Sequence, residues 1–208
     1  MKKPKFLTGE EAAAMIKDDS TIATIGMTLV SASETILKAI ENRFLETGSP
    51  NHLTLVHSCG QSDRDRGIQH FSHEGMLHRI IGGHWGLQPR MMKLIAENKI
   101  LAYCIPQGQF AQLYRSMAGG EPGKITKVGL GTFIDPRIDG GKMNAITKDA
   151  PDIVDVVTID GEEYMRYKPI PLDYCIIRGT YVDEMGNLTT DEEAMQLEVF
   201  SAVMACKK

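Results

Sequence analysis

Hydrophobic residues along this chain fall into short continuous runs that alternate with stretches of helical spacing. The runs at residues 21–25 and 53–57 are apolar and β-branched, which predicts two buried strands. Between them, apolar side chains from Ile36 to Phe44 recur on one helical face, and the predicted helix begins near Ser33. A strand, a helix and a second strand in this order are typical of parallel strand pairing.

Further helices and strands continue this alternation. Thr8 followed by Glu11 matches a capping box, which predicts a first helix over residues 12–17. Asp160 and Gly161 separate two β-branched stretches, as expected for a hairpin. The remaining predicted elements are short helices at 73–77 and 110–115, a helix at 89–97, strands at 100–105 and 174–178, a turn at 184–187 and a final helix at 192–205.

The order of these elements predicts the fold class. We expect one α/β domain over residues 1–208, with an open, mainly parallel sheet of Rossmann type flanked by helices. Ligands bind such sheets at the carboxyl ends of the strands. The loops after Ile25, His57, Ile105 and Val128 are therefore the first places in which to expect a site.

Composition and charge exclude several classes of protein. Hydrophobic residues make up 42% of the chain and charged residues 24%, which is typical of a globular protein rather than a disordered one. The formal net charge of -4 leaves no basic surplus to neutralise phosphates, so nucleic acid is not an expected partner. Residues 1–8 lack an apolar signal segment and no run reaches membrane-spanning length, which predicts a cytoplasmic protein without a membrane partner.

The cysteines and histidines lack the spacing of a disulfide framework or a metal site. Histidines 70, 73, 78 and 84 lie near Glu74, but they form no HExxH pattern and have no cysteine close by, so hydrogen-bonded imidazoles are favoured over zinc. Cys59 follows His57 closely, yet packing is favoured over a thiolate–imidazole pair. The cysteines, all expected to be reduced thiols, are Cys59, Cys104, Cys175 and Cys206.

Two glycine-containing loops are candidates for binding a substrate. Gln107 and Gly108 follow a predicted strand and offer a side-chain amide and an accessible backbone to a carboxylate, although a simple turn explains them equally well. Gly129, Gly131 and Thr132 resemble part of a phosphate-binding loop, but they lack the third glycine of a dinucleotide fingerprint and the lysine of a P-loop. Their local sequence favours a turn.

Together, several of these segments resemble family I CoA-transferases, especially the acetate or propionate CoA-transferase type. The similarity extends over almost the whole chain, as far as a stretch near residues 178–187 that resembles the end of the family's first half. The segments that carry it are residues 67–75, 83–86 (Gly-His-Trp-Gly), 97–99, 103–108, 122–123, 127–137 (Lys-Val-Gly-Leu-Gly-Thr-Phe-Ile-Asp-Pro-Arg), 140–144 (Gly-Gly-Lys-Met-Asn) and 178–187.

The resemblance implies transfer of CoA between short-chain carboxylates through an enzyme-bound thioester. In this family the nucleophile is a glutamate of a Glu-x-Gly motif in the second half, which is expected beyond Lys208. The resemblance therefore implies no catalytic residue and no metal or other cofactor in this chain, with acyl-CoA and a short-chain carboxylate as substrates. We expect the chain to be inactive without a C-terminal, β-type half, and to form a homo-oligomer.

The resemblance also assigns roles to the candidate loops. In the family, a backbone amide of the loop after the first strand helps to form the oxyanion hole. That loop usually carries more glycines, whereas only Gly26 keeps this character here, so Met27 or Thr28 is expected to supply the amide. Gln107 and Gly108 are expected to shape the acyl pocket. Gly129, Gly131 and Thr132 complete the set of binding candidates.

Two other functions are also compatible with the sequence. A non-catalytic binding or assembly domain would keep the same scaffold without a complete active site, as the altered first loop allows. A sugar-phosphate isomerase or deaminase is a weaker alternative, because such enzymes share the broad scaffold and a fold does not determine function.

Overall fold

The computed structural model describes residues 4–206. Residues 207–208 lie outside the described part, as do residues 1–3 of the segment that was predicted to contain no signal sequence. Helices and strands alternate through most of this range, as the pattern predicts. In chain order they are α1 (Gly9–Ala14), β1 (Thr21–Thr24), α2 (Glu34–Thr47), β2 (Leu53–His57), a 3-10 turn (Gly67–Phe71), β3 (Leu77–Gly82), α3 (Pro89–Ala96), β4 (Leu101–Cys104), α4 (Gln107–Ala118), β5 (Lys124–Thr126), α5 (Ala145–Lys148), β6 (Val154–Ile159), β7 (Glu162–Tyr167), β8 (Tyr174–Ile176) and α6 (Val199–Ala205).

The first helix begins with the predicted capping box. The Glu11 backbone N–H donates to the Thr8 hydroxyl at 3.2 Å, and the Thr8 backbone N–H donates to the Glu11 carboxylate at 2.8 Å. These two bonds satisfy N–H groups that the first turn of a helix leaves unpaired. Helix α2 ends at Gly48, whose φ of 73° is readily adopted only by glycine.

Five strands form a parallel sheet in the order β4-β3-β2-β1-β8 within residues 4–206. Successive residues of a strand face opposite sides, so Ile22 packs with α1 and α2 while Ala23 packs on the side of α4 and α6. The two faces carry separate hydrophobic cores, one beneath α1, α2 and α3 and the other beneath α4, α6 and a second sheet. The predicted open, mainly parallel α/β sheet is confirmed.

Strand β3 was not predicted from the sequence, and the predicted helix at 73–77 is wrong. The turn before β3 contains Gly75 with a φ of 86°, which breaks a helix at that point. His78 and Arg79 interrupt the apolar run that would have indicated the strand. Arg79 instead donates to the Thr54 hydroxyl of β2 at 3.3 Å, so a polar pair lies within the sheet.

The final helix is shorter than predicted: it spans residues 199–205, whereas the pattern predicts 192–205. Leu197 has a φ of 46°, a left-handed conformation that a helix does not contain. Glu193 and Glu198 bond to residues of distant loops instead of continuing the helix. Tertiary contacts therefore override the helical pattern of this segment.

A second sheet of three antiparallel strands has the order β5-β7-β6 within the described residues. Asp160 and Gly161 form its hairpin turn with φ values of 51° and 82°, which confirms the predicted hairpin. The loop after Val128 follows a strand of this second sheet, so its expected position at the edge of the parallel sheet is wrong. In residues 4–206, no helix combines the length and apolar character needed to cross a membrane.

Candidate functional site

The loops that follow β1 and β2 meet at the carboxyl edge of the parallel sheet. The Thr28 backbone N–H donates to the Gly60 carbonyl at 2.7 Å. The buried Gln61 side chain donates to the Thr24 carbonyl at 2.6 Å. Because both bonds join backbone of one loop to residues of the other, the two loops form a single rigid surface.

His57, at the end of β2, holds the second loop in place. Its Nδ1 lies 2.7 Å from the Cys59 carbonyl, and its Nε2 lies 3.1 Å from the Trp85 indole nitrogen. Since the indole N–H only donates, Nε2 accepts and Nδ1 carries the proton, which makes the ring neutral. Burial lowers the pKa of His57 to about 4, against the opposing effect of the Cys59 carbonyl. With both ring nitrogens occupied, His57 positions the loop and is not a base for Cys59.

Helix α4 opens onto the same edge without a side-chain cap. Its N-cap position is Pro106, and Gln107 and Gly108 are exposed as the first two helical residues. Neither of their backbone N–H groups donates to any group within residues 4–206. The first helical bond is made by Gln109, which donates to the Pro106 carbonyl at 2.8 Å. Two N–H donors at the positive end of a 12-residue helix are therefore open to an anion or a carbonyl oxygen.

Cys59, Gln107 and Glu198 lie together beside this helix end. Burial and the Glu198 carboxylate raise the pKa of the Cys59 thiol, while the Gln107 side chain lowers it as a hydrogen-bond donor. The net increase keeps Cys59 a thiol at neutral pH, so it is not an activated nucleophile. Ser58 donates to the Glu198 carboxylate at 3.0 Å. No sequence pattern indicates Glu198 as a site residue, because it is 140 residues from Ser58 and falls within a predicted helix.

The β1 loop offers fewer free amides than expected. The Met27 N–H donates to the Val30 carbonyl at 3.0 Å, and the Thr28 N–H is taken by Gly60. Of the three candidates in this loop, Gly26 alone has a backbone N–H that donates to no described group. A Cβ at Gly26 would lie 3.1 Å from the Val30 carbonyl oxygen, so this position favours glycine.

The loop with Gly129, Gly131 and Thr132 forms a separate, internally bonded turn. The Gly131 N–H donates to the Asp135 carboxylate and the Thr132 hydroxyl to the Gly129 carbonyl, both at 2.9 Å. Hydrogen bonds from Arg137 lower the pKa of Asp135 far below its usual range, against the effect of burial. Within residues 4–206, no hydrogen bond joins these three candidates to Gly26, Gln107 or Gly108. Their part in binding stays a prediction.

Two of the four grouped histidines form a carboxylate–imidazole cluster with helix α2. The Nδ1 of His70 lies 2.7 Å from the Glu41 carboxylate, and its Nε2 lies 2.7 Å from the Glu34 carboxylate. The Nε2 of His73 lies 2.6 Å from the other carboxylate oxygen of Glu41. The cluster fastens the 3-10 turn to α2. Among the described residues, no group of three or more His, Cys, Asp or Glu is arranged to hold a metal ion.

The buried Glu41 carboxylate makes folding stability depend on acid pH. Burial alone would raise the pKa of Glu41, but hydrogen bonds from Lys38 and His73 and the charge of His70 lower it to about 2. A lowered native pKa gives stability that is complete above about pH 4.5 and is lost as the pH falls toward 2. Over that range we expect Glu41 alone to lower the free energy of unfolding by about 3 kcal/mol, in addition to the losses from other paired carboxylates.

Urea denaturation at a series of pH values measures this loss directly. The matched pair of variants is Glu41→Gln and Glu46→Gln, which replace a buried and an exposed carboxylate of the same helix. Glu41→Gln should be less stable than the unmodified chain at pH 7 and should lose about 3 kcal/mol less between pH 4.5 and pH 2, whereas Glu46→Gln should keep the original profile. Parallel pH profiles for all three proteins would contradict the prediction.

Comparison with known proteins agrees with the sequence resemblance. The protein-family model for "Coenzyme A transferase" matches residues 6–206. A caffeate CoA-transferase from Acetobacterium woodii is 40% identical over 204 residues, which cover 98% of this chain and 38% of that protein. The alpha subunit of an acetate CoA-transferase from Escherichia coli strain K12 is 25% identical over 203 residues, which cover 98% of this chain and 82% of the subunit.

A solved structure shares both fold and sequence with this chain. The acyl-CoA transferase YdiF from Escherichia coli O157:H7, described as a thioester complex with CoA, superimposes with a TM-score of 0.92 at 35% identity. The match covers 98% of this chain and 43% of that one. The chain thus spans about two fifths of the length of its longer relatives, and most of the length of a separate alpha subunit.

Proposed function

This chain belongs to the coenzyme A transferase family, and we propose on that premise that it is the α-type half of an enzyme moving CoA between short-chain carboxylates of the acetate or propionate type. The observation that carries the proposal is the open amino end of α4 at the carboxyl edge of the sheet. There the free N–H groups of Gln107 and Gly108 face outward beside the rigid loops after β1 and β2.

The proposed reaction proceeds through a glutamyl-CoA thioester. A glutamate carboxylate on a second, β-type half attacks the acyl-CoA carbonyl, giving a mixed anhydride and CoA thiolate. The thiolate attacks the glutamyl carbonyl, forming the thioester and releasing the first carboxylate. An acceptor carboxylate then reverses the two steps and leaves as the new acyl-CoA. The related YdiF structure is described as a thioester complex with CoA, which supports the proposal that the reaction includes a thioester.

Each of these steps places negative charge on a carbonyl oxygen, and donors of this chain are proposed to stabilise it. The N–H groups of Gln107 and Gly108 lie at the positive end of a helix dipole and bind the substrate carboxylate or the developing oxyanion. The Gly26 N–H adds a donor from the loop after β1. The thioester energy is conserved at every transfer, so the scheme uses acyl-CoA as substrate and calls on no metal or redox cofactor.

An exposed apolar surface near the carboxyl end of the chain is where we propose that the second half packs. Tyr181, Met185 and Phe200 are 61%, 66% and 82% exposed, which is unusual for large apolar side chains. A cavity of about 640 Å³ lies along the same segment, lined by Leu188, Leu197 and Phe200 among others. A surface of this kind also favours self-association, which is the basis of the proposed homo-oligomer.

The proposed function is tested by transfer of CoA from acetyl-CoA or propionyl-CoA to a second carboxylate, measured chromatographically. The chain is assayed alone, and again after mixing with its separately prepared β-type half. We expect no transfer by the chain alone and transfer by the combination. Activity of the chain alone would refute the proposal that the nucleophile lies on the second half.

A non-catalytic binding or assembly role is the second candidate, because Met27 and Thr28 have their N–H groups bonded within the chain. The same experiment separates the two functions. If the two halves associate in light scattering but transfer no CoA with any short-chain acid, the assembly role is favoured. Transfer by the combined halves removes it.

A further inference from the structure

Residues 193–198, here called the crossing segment, pass over the carboxyl edge of the parallel sheet. Ser31, in the loop after β1, donates to the Met195 carbonyl at 2.9 Å. Arg178, just beyond β8, donates to the Glu193 carboxylate at 3.0 Å. The segment ends at Glu198, which accepts from Ser58 in the loop after β2. It therefore ties together the loops that follow β1, β2 and β8.

Glu198 is an unusual residue to find in this position. It is 9% exposed and Ser58 is 1% exposed, so their hydrogen bond is shielded from water. No Lys, Arg or His of residues 4–206 forms an ion pair with Glu198. Its charge instead faces the Cys59 thiol and the buried Tyr114 hydroxyl, which has no hydrogen-bond partner among the described residues. A buried carboxylate with only neutral neighbours costs stability, so packing does not explain it.

The geometry around Ser58 shows what the carboxylate does. Behind the loop, the Ser58 carbonyl lies against Gly83 so closely that a Cβ there would overlap it. The Cys59 carbonyl is held by His57. Glu198 restrains the Ser58 hydroxyl from the opposite side. These three restraints fix the loop that carries Cys59. The Ser58 and Ile105 carbonyl oxygens both lie against Gly83, so this loop packs beside the backbone just before Pro106, the N-cap of α4.

We propose that Glu198 is a positioning residue of the substrate site: by restraining Ser58 it keeps the loop after β2 packed against Gly83 beside Ile105, so that the amino end of α4 is correctly placed for the incoming carboxylate. This inference rests on the proposed function for its kinetic consequence. The restraint itself is a property of the loop and is measurable without turnover. Glu198 touches no reacting atom in this scheme.

The kinetic test uses Glu198→Gln in the assembled protein, meaning this chain together with its second half. The variant keeps the shape of the side chain but replaces a charge-assisted hydrogen bond by a neutral one. We expect KM for the acceptor carboxylate to rise about tenfold while kcat changes less than twofold, because a binding contact is disturbed and the chemistry is not. Glu46→Gln is the matched control, since Glu46 is an exposed carboxylate of helix α2 outside both the candidate site and the proposed packing surface. Equal KM values in Glu198→Gln and the unmodified protein would overturn the kinetic role.

The second test measures alkylation of each cysteine by iodoacetamide, resolved by peptide mass spectrometry. Removal of the Glu198 charge and release of the loop should accelerate alkylation of Cys59 about threefold. Cys175 is the internal reference, because burial raises its pKa to about 12. A general loss of structure would accelerate both cysteines together and would overturn the inference.

Ser58→Ala repeats the test from the other side of the hydrogen bond. It should produce the same selective increase at Cys59, and the double variant should be no more reactive than Glu198→Gln, because both residues act through one contact. If Glu198→Gln fails to fold, Ser58→Ala decides the question alone. Unchanged Cys59 alkylation in the folded variants overturns the inference. Absence of CoA transfer by the unmodified protein would refute the proposed function instead, and the alkylation result would still decide whether Glu198 restrains the loop.

Discussion

Replacement of Gln107 by proline is expected to lower kcat/KM for CoA transfer by about a hundredfold or more while the fold stays intact, as for loss of one oxyanion donor. Gln107 is the first residue of α4, a position where proline is well tolerated because no helical bond is lost. The preceding Pro106 has a ψ of 131°, an extended conformation that accepts a following proline. The substitution therefore removes one N–H donor from the helix end and little else of the backbone.

Gln107→Ala is the matched control, because it removes the same side chain and keeps the N–H. Steady-state kinetics of the assembled protein should show a decrease of about tenfold for Gln107→Ala, from the lost contact with Cys59. The additional decrease in Gln107→Pro is the contribution of the backbone donor. Equal kinetics for the two variants, with equal circular dichroism spectra, would show that the amino end of α4 does not bind the reacting carbonyl.

The elements predicted correctly are those whose pattern is local. Strand β2 has the predicted bounds because all five of its residues are buried and the first four, residues 53–56, are apolar or β-branched. The capping box of α1, complete within four residues, is confirmed, although the helix spans residues 9–14 and not the predicted 12–17. Strand β3 is not predicted by the sequence pattern, because His78 and Arg79 interrupt its apolar run. Thr54, which accepts a hydrogen bond from Arg79 within the sheet, lies on another strand.

In the candidate site, too, the residues predicted correctly are those indicated by a local sequence pattern. Gln107 and Gly108 were found because a strand, a proline and a glycine mark a loop at the carboxyl edge. Glu198 was not found, because its role depends on Ser58 and on a left-handed turn at Leu197 that no local pattern indicates. The loop after Val128 was misplaced because the sequence does not show that β5 leaves the parallel sheet. Contacts between residues far apart in the sequence therefore determine which candidate residues lie close together in the fold.

Replacement of Gly83 by alanine is expected to destabilise the fold by more than about 3 kcal/mol, a large effect for one methyl group. A Cβ at Gly83 would lie well under 3.0 Å from the Ser58 carbonyl oxygen and 3.3 Å from that of Ile105. Both obstacles are backbone atoms, which cannot rotate away as a flexible side chain does. Ser58 is also held by the hydrogen bond from its hydroxyl to Glu198, which resists a shift of the loop.

Thermal unfolding followed by circular dichroism measures the cost, which should appear as a midpoint lower by about 10 °C or as loss of soluble protein. Gly108→Ala is the stability control, since a Cβ there meets no atom within 4 Å and alanine favours a helix over glycine. Its midpoint should be unchanged or slightly higher. A midpoint for Gly83→Ala within 2 °C of the control, on the scale of about 2 to 4 °C per kcal/mol for a chain of this size, would contradict the close approach. The expected result would instead show that the backbones after β2, β3 and β4 pack too closely at Gly83 to admit a Cβ, and this packing is the path by which Glu198 is proposed to position the amino end of α4.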